Sequence, residues 1–397
     1  MPAMTRPRTP GHRLLHAPGP THVPDDVLAA MHRPSMDLVD PRLTAIIDDI
    51  EDSLRWLAGA AGHQVILYSA NGHGMWEALV ENLLSPQGQV LVPGTGHFSD
   101  GWAQQAQLLG RQALRTPWRE GYPIDAAEVA EALRADREHR IEAVFIVHTD
   151  TASGVTSELD ALRRAVDASG HPALFVVDAV ASLGATALDM NQQRIDVLMS
   201  ASQKGLMMPP GLGLAILNEK ALGQVRRNPS RRGYWDMLQR IGSMSYQKFY
   251  GTPPLQMLYG LQASLALLRS EGLPQVFARH RKLAATVQAA VAGWAEGGQL
   301  GLFCQDVNAR SVSVTTITTP PGFDPDRLRT LARERFDVSV AGGLGPLFGR
   351  AFRIGHLGDL NAAMVLGAVA GVEAALKALG VAIGPGAQRA IDHLAEG

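Results

Sequence analysis

Lys204 lies in the stretch SASQKGLMMPPGLG, residues 200 to 213, among small, apolar and turn-forming residues with no carboxylate beside it. Burial disfavours a charged ammonium and lowers its pKa, and a neutral amine attacks aldehydes, so the position suits Schiff-base chemistry. Alone, a lysine on a loop reads more readily as a surface charge. Asp178 changes that reading. It closes the apolar run ALFVVD, and a carboxylate ending a buried strand either caps the next turn or faces a ligand in the crevice.

A lysine for an aldehyde and an acidic partner for a ring nitrogen, at successive strand ends, together suit pyridoxal phosphate. A third element is SANGHGMWEALVENLL, where Asn71, Gly72, His73 and Gly74 stand between an apolar strand and an amphipathic helix. Small residues there let backbone N–H groups converge on an anion at the positive end of a helix. The same residues also suit an ordinary strand-to-helix turn. The glycine-rich stretch at residues 342 to 349, GGLGPLFG, neither follows a predicted strand nor opens a clear helix, so it reads as a loop rather than a dinucleotide fingerprint.

The elements that must position these residues repeat from about residue 60 to 220. Short β-branched runs (QVILYS, QVLVP, AVFIVHT, ALFVVDAV, DVLMSA, LGLAIL) alternate with stretches of helical spacing, which implies a mainly parallel sheet covered by helices on both faces. Residues 221 to 250 are polar, arginine-rich and aromatic. A long helix is expected from about Leu273 to Trp294, then a smaller α+β unit with strands in ARSVSVTTIT and RAFRIGH and a helix in PDRLRTLARER. The expected division is an N-terminal arm over 1–20, a large domain over 21–275 and a small C-terminal domain over 276–397.

Composition narrows the function classes. With 36 basic and 38 acidic residues and no block of either sign, nucleic acid is not expected as a partner. The single cysteine, Cys304, leaves no intramolecular disulfide framework and suits a reducing cytoplasm. The most apolar segment, AAMVLGAVAGVEAALKALGVAIG, carries Glu373 and Lys377 at i,i+4 and reads as a buried helix rather than a membrane span. The basic, proline-rich start reads as a flexible arm. His12, His16 and His22 lack acidic or cysteine partners nearby and read as solvent-exposed or substrate-loop residues rather than metal ligands.

The combination PGPTHVP, NGHGMWEA, HTDTASGVTSELD, VVDAVASLGA, SQKGLMMPPGLG, YGTPPLQMLYGLQASL and FRIGHLGDLN resembles the class V aminotransferases, in particular their serine–glyoxylate and alanine–glyoxylate branch. The similarity runs from about Leu15 to Gly384. It implies the pyridoxal-phosphate transferase fold type I, an α/β architecture with a mainly parallel seven-stranded sheet and a smaller α+β C-terminal domain. It also implies a homodimer with active sites at the subunit interface and small amino acid and 2-oxo acid substrates. Carried over by position, Lys204 matches the Schiff-base lysine, Asp178 the ring-nitrogen partner, Phe98 an aromatic ring stacked on the cofactor and Thr151 a contact to the ring oxygen. Gln203, Gly72 and His73 match phosphate contacts, Thr252 a phosphate contact to the neighbouring subunit, and Arg353 the receptor of the substrate carboxylate.

The sequence also departs from that pattern. Asn71 stands where serine is usual, Asp150 where glutamate is often found, and Phe249 or Tyr250 near a shifted tyrosine. The implied reaction is ping-pong amino transfer from serine or alanine to glyoxylate, with ureidoglycine–glyoxylate and 2-aminoethylphosphonate–pyruvate transamination as alternatives. A cysteine desulfurase would need Cys304 as a mobile nucleophile. A nicotinamide-dependent oxidoreductase would need a glycine fingerprint after the first strand.

Overall fold

Apolar runs without alternation belong to strands buried on both faces, whereas the helices between them are apolar on one stripe only. The computed structural model describes residues 11–230 and 232–396. Residues 1–10 of the expected arm, Arg231 of the arginine-rich segment and Gly397 lie outside the described residues. In chain order the strands are β1 (Leu14–His16), β2 (Gln64–Tyr68), β3 (Gln89–Leu91), β4 (Gln112–Leu114), β5 (Ile141–Val147), β6 (Thr149–Asp150), β7 (Val155–Thr156), β8 (Leu174–Asp178), β9 (Val197–Ala201), β10 (Gly213–Leu217), β11 (Gly301–Leu302), β12 (Val314–Thr318), β13 (Val338–Gly342) and β14 (Ala351–Gly355).

Seven strands form the large sheet in the order β2-β10-β9-β8-β5-β3-β4. All its pairings are parallel except those of β10, which runs antiparallel to both neighbours. This is the expected mainly parallel seven-stranded sheet. Every residue of β8, β9 and β10 is buried. Side chains alternate between two cores: Val65, Val144, Ile146, Phe175 and Val177 join one, and Ile66, Ala143, Phe145, Val147 and Val176 join the other. Helices Pro41–Leu57 and Leu255–Glu271 close the first face, and helices Gly72–Leu83 and His97–Leu108 the second.

A third core lies against a five-stranded sheet of order β1-β13-β14-β12-β11. Helix Leu273–Ala295 joins the cores, with Val276 in the first and Leu283 to Trp294 in the third. Helix Ala362–Ala378 carries the expected Glu373–Lys377 pair at 2.7 Å. Among the described residues no helix is long and apolar enough to cross a membrane.

Three expectations are corrected. The segment expected as a flexible arm supplies β1, which pairs in parallel with β13, Leu14 opposite Val338. His16, expected at the solvent or in a substrate loop, is fully buried, and its Nδ1 lies 2.9 Å from the Gly355 carbonyl. Its neighbours gave no local sign of this, because the pairing partner lies at the far end of the chain. The glycine stretch at 342 does follow a strand, β13, but then turns through Gly345–Leu347 into β14 without opening an α-helix, so it lacks the dinucleotide context.

Candidate active site

β8 and β9 are parallel neighbours, so their carboxyl ends reach the same edge of the sheet. Asp178 is the last residue of β8, and Lys204 follows β9 by three residues. The chain must then reverse into antiparallel β10. Ser202 holds that reversal: its N–H donates to Leu212 O at 2.9 Å, its Oγ donates to Pro209 O at 2.6 Å and accepts from Leu212 N–H at 3.2 Å. Gly205 lets the loop lie against the segment after Asp178, since a Cβ there would stand 2.2 Å from the Leu183 carbonyl oxygen.

The result is a cavity of about 240 Å³ lined by Lys204, Gln203, Asp178, Phe98, Thr151, Asn71, Gly72 and His73, together with Trp76, Val180, Gly19 and Pro20. Lys204 is partly exposed to this cavity and otherwise enclosed by protein. Burial pulls its pKa down to about 8, assisted by the Arg353 charge and opposed by Asp178 and Asp150. Its Nζ donates to the Pro18 carbonyl. Asp178 is buried, and desolvation pushes its pKa up to about 6 against two donors, the Val180 N–H at 2.8 Å and the Trp76 indole N–H at 2.7 Å.

At the opposite wall, Asn71 caps helix Gly72–Leu83 by accepting the Gly74 N–H at 3.1 Å. The first turn of a helix leaves its leading N–H groups without intrahelical partners, here those of Gly72 and His73 at the cavity. Burial lowers the His73 pKa, which favours a neutral imidazole. Phe98 opens helix His97–Leu108, its N–H held by Asp150 Oδ2 at 3.0 Å and its ring edge-on to Trp76 at 6.3 Å.

Two residues named from the sequence do not line the cavity. Arg353, on β14, sits behind Thr151: its Nη1 donates to Thr151 O at 2.7 Å and its Nε to Gly342 O at 2.6 Å. Among the described residues it makes no ion pair, and burial lowers its pKa to about 10 while Asp150 supports its charge. Thr252 is exposed and away from the cavity. Of the two aromatic residues near it, Phe249 packs into the first core and Tyr250 is 48% exposed. Cys304 is buried just after β11, its Sγ donating to Asp306 O at 3.3 Å and its pKa pushed up to about 11 by burial, an inert thiol rather than a mobile nucleophile.

Three contributors have no site role assigned from the sequence. Trp76 carried a signal, an indole one turn into the helix that opens at the anion cradle. Asp150, fully buried, binds Thr95 Oγ1 at 3.1 Å and the N–H groups of Phe98 and Ala152, and so ties two walls together. The PGP turn, which reads from the sequence as a rigid turn suited to the mouth of the site, supplies Gly19 and Pro20 to the cavity wall.

The donor set fits pyridoxal phosphate: an amine of lowered pKa, a buried carboxylate, an aromatic wall and a helix N-terminus. Gln203 Oε1 is buried with no hydrogen-bond partner among the described residues, an amide end left open beside the cavity.

The family model described as aminotransferase class-V matches residues 15–346. A serine–glyoxylate aminotransferase of Methylorubrum extorquens is 38% identical over 96% of this chain and 96% of its own length. An L-aspartate–glyoxylate aminotransferase of Paracoccus denitrificans is 36% identical over 96% of this chain and 95% of its own. Among solved structures, the ureidoglycine–glyoxylate aminotransferase of Bacillus subtilis superposes with a TM-score of 0.88 at 28% identity, covering 98% of this chain and 100% of that one.

Proposed function

From the premise that this chain belongs to the class V aminotransferases and is a pyridoxal-phosphate-dependent transaminase, we propose that it moves the amino group of a small amino acid, serine or alanine, to glyoxylate or another small 2-oxo acid in a ping-pong reaction. The carrying observation is the meeting of Lys204 and Asp178 in one cavity of about 240 Å³, with Arg353 directly behind the Thr151 wall. The serine–glyoxylate and L-aspartate–glyoxylate relatives support glyoxylate as acceptor, and the ureidoglycine–glyoxylate structure keeps ureidoglycine as an alternative donor.

Pyridoxal phosphate, when bound, supplies an aldehyde for the amino group and a ring that withdraws electrons from the α-carbon. Lys204 would hold it covalently and, once released, take the donor's α-proton on Nζ as a general base and return it as a general acid. A pKa of about 8 suits both roles near neutral pH. Asp178 would face the ring nitrogen and keep it protonated. Phe98 would cover the ring, Thr151 contact its oxygen, and Asn71, Gly72, His73 and Gln203 hold the phosphate. Arg353 would receive the substrate carboxylate only on release of its fork from Thr151 O and Gly342 O, or through the remaining Nη2.

Thr252 has no partner in the cavity of its own chain, which supports the reading that it completes the phosphate site of a second copy in a homodimer. A division into a large domain and a small one near residue 275 is supported by helix Leu273–Ala295, whose Val276 packs in the first core and whose later residues pack in the third. A reducing cytoplasmic setting agrees with the one buried thiol. The test is a donor panel, with serine, alanine, aspartate and ureidoglycine each supplied against glyoxylate and pyruvate. Serine or alanine with glyoxylate should give the highest kcat/KM; a clear preference for aspartate or ureidoglycine would replace the assignment.

A further inference from the structure

Asp178 is poorly solvated, and a carboxylate in that setting keeps its charge and its aim only if neighbouring donors fix both. It has two such donors. The Val180 N–H reaches Oδ1 at 2.8 Å from the backbone two residues on, and the Trp76 Nε1–H reaches Oδ2 at 2.7 Å from another element. Each oxygen keeps lone pairs for a further donor facing the cavity. The backbone amide anchors Oδ1 locally, and the indole, coming from another element, anchors Oδ2 and so completes the fixing of the carboxylate plane.

The indole is itself held. Its ring stacks on Trp102 at 5.7 Å and 11°, and Trp102 stacks on Phe145 of β5 at 4.2 Å and 19°. His73 lies 4.6 Å away. A Cβ on Gly101 would come within 3.3 Å of the Trp76 ring, so the slot has no slack on that side. Trp76 belongs to the helix whose N-terminus opens on the cavity, and that single rigid element therefore touches both ends of it.

Resting on the reading of Asp178 as the partner of the cofactor ring nitrogen, we propose that Trp76 is a positioning residue for the known chemistry. Its indole N–H, clamped by the Trp102–Phe145 stack, sets the orientation and charge of the Asp178 carboxylate. Cofactor affinity then depends on a bond 102 positions apart in sequence. The donor stabilises the charged carboxylate, so removing it raises the pH below which Asp178 is lost as an anion.

The experiment uses full-length apoprotein titrated with pyridoxal phosphate across pH, read by absorbance, with donor kcat and KM measured on the reloaded enzyme. Trp76→Phe keeps an aromatic ring in the stack and deletes the N–H. It should weaken cofactor affinity about ten- to a hundredfold, the order carried by a lost hydrogen bond to a charged group. The acid limb of the affinity profile should move up by about one pH unit, and kcat should fall with donor KM nearly unchanged. Asp178→Asn is the control on the underlying reading. If it leaves affinity and turnover intact, that reading fails. If it damages both while Trp76→Phe matches wild type in affinity and acid limb, the positioning role fails alone. Trp76→Leu separates packing from hydrogen bonding: equal losses in the Phe and Leu variants with no move of the acid limb in either would also overturn the proposal.

Discussion

Replacing Lys204 with methionine tests the cost of keeping an amine in the cavity. The lysine pKa falls from 10.5 to about 8 on folding. The folded state thus binds its proton less tightly than the unfolded chain, and folding is opposed by protonation. The penalty is full below pH 8 and fades as pH rises from about 8 to 10.5. At about 1.4 kcal/mol per pKa unit the full penalty is about 3 kcal/mol, and water in the partly open cavity screens it to about 2. Methionine, unbranched and similar in length, removes the charge but leaves the Pro18 carbonyl without its donor, a loss of about 1 kcal/mol. Cofactor-free Lys204→Met should therefore be more stable than cofactor-free wild type by about 1 kcal/mol at pH 7. The advantage should disappear or reverse at pH 10, and the variant should have no transaminase turnover. Urea denaturation of both apoproteins, followed by tryptophan fluorescence at pH 7 and pH 10, measures the difference. A stability gap of the same sign and size at both pH values would refute the desolvation argument.

The other perturbations act on placement and recognition. Gly205→Ala puts a Cβ 2.2 Å from Leu183 O and must shift the loop that carries Lys204. Overpacking of this kind should cost about 1–3 kcal/mol of stability, and a displacement near 1 Å should cost about a hundredfold in kcat, read by thermal melting and steady-state assays. Arg353→Lys removes the fork that spans Thr151 O and Gly342 O. Donor KM should rise at least about tenfold, while cofactor absorbance and affinity stay at wild-type levels.

Lys204 and Asp178 stand out because each interrupts an apolar pattern, and strand periodicity needs only a few neighbouring residues. Short pairings could not be read this way. β4 is three residues long, and β13, VSVAG, has only a brief β-branched run; both are strands because a partner strand lies beside them. Trp76 lies on the buried side of an amphipathic helix, and only the fold brings its indole to Asp178. Asp150 stands out in the sequence only as a departure from a pattern, because two of its three donors, Thr95 and Phe98, lie more than 50 positions away and only Ala152 is local. Arg353 was singled out by the motif around it, whereas its place behind Thr151 follows from the packing of one sheet against the loop of another.

The N-terminal segment ties the two sheets together. β1 is an edge strand beside β13, His16 reaches Gly355 across 339 positions of chain, and Thr21 bonds to Gln203 and Lys204 through backbone carbonyls. β1 and His16 precede the strands they pair with by more than 300 positions, so their partners are the later strands of the small sheet. Contacts of such separation close late, because loop entropy must be overcome before they reward the chain. The wall formed by Pro18, Gly19 and Pro20 is therefore among the final pieces to settle. The enclosure of Lys204 on that side thus depends on contacts that span most of the described chain.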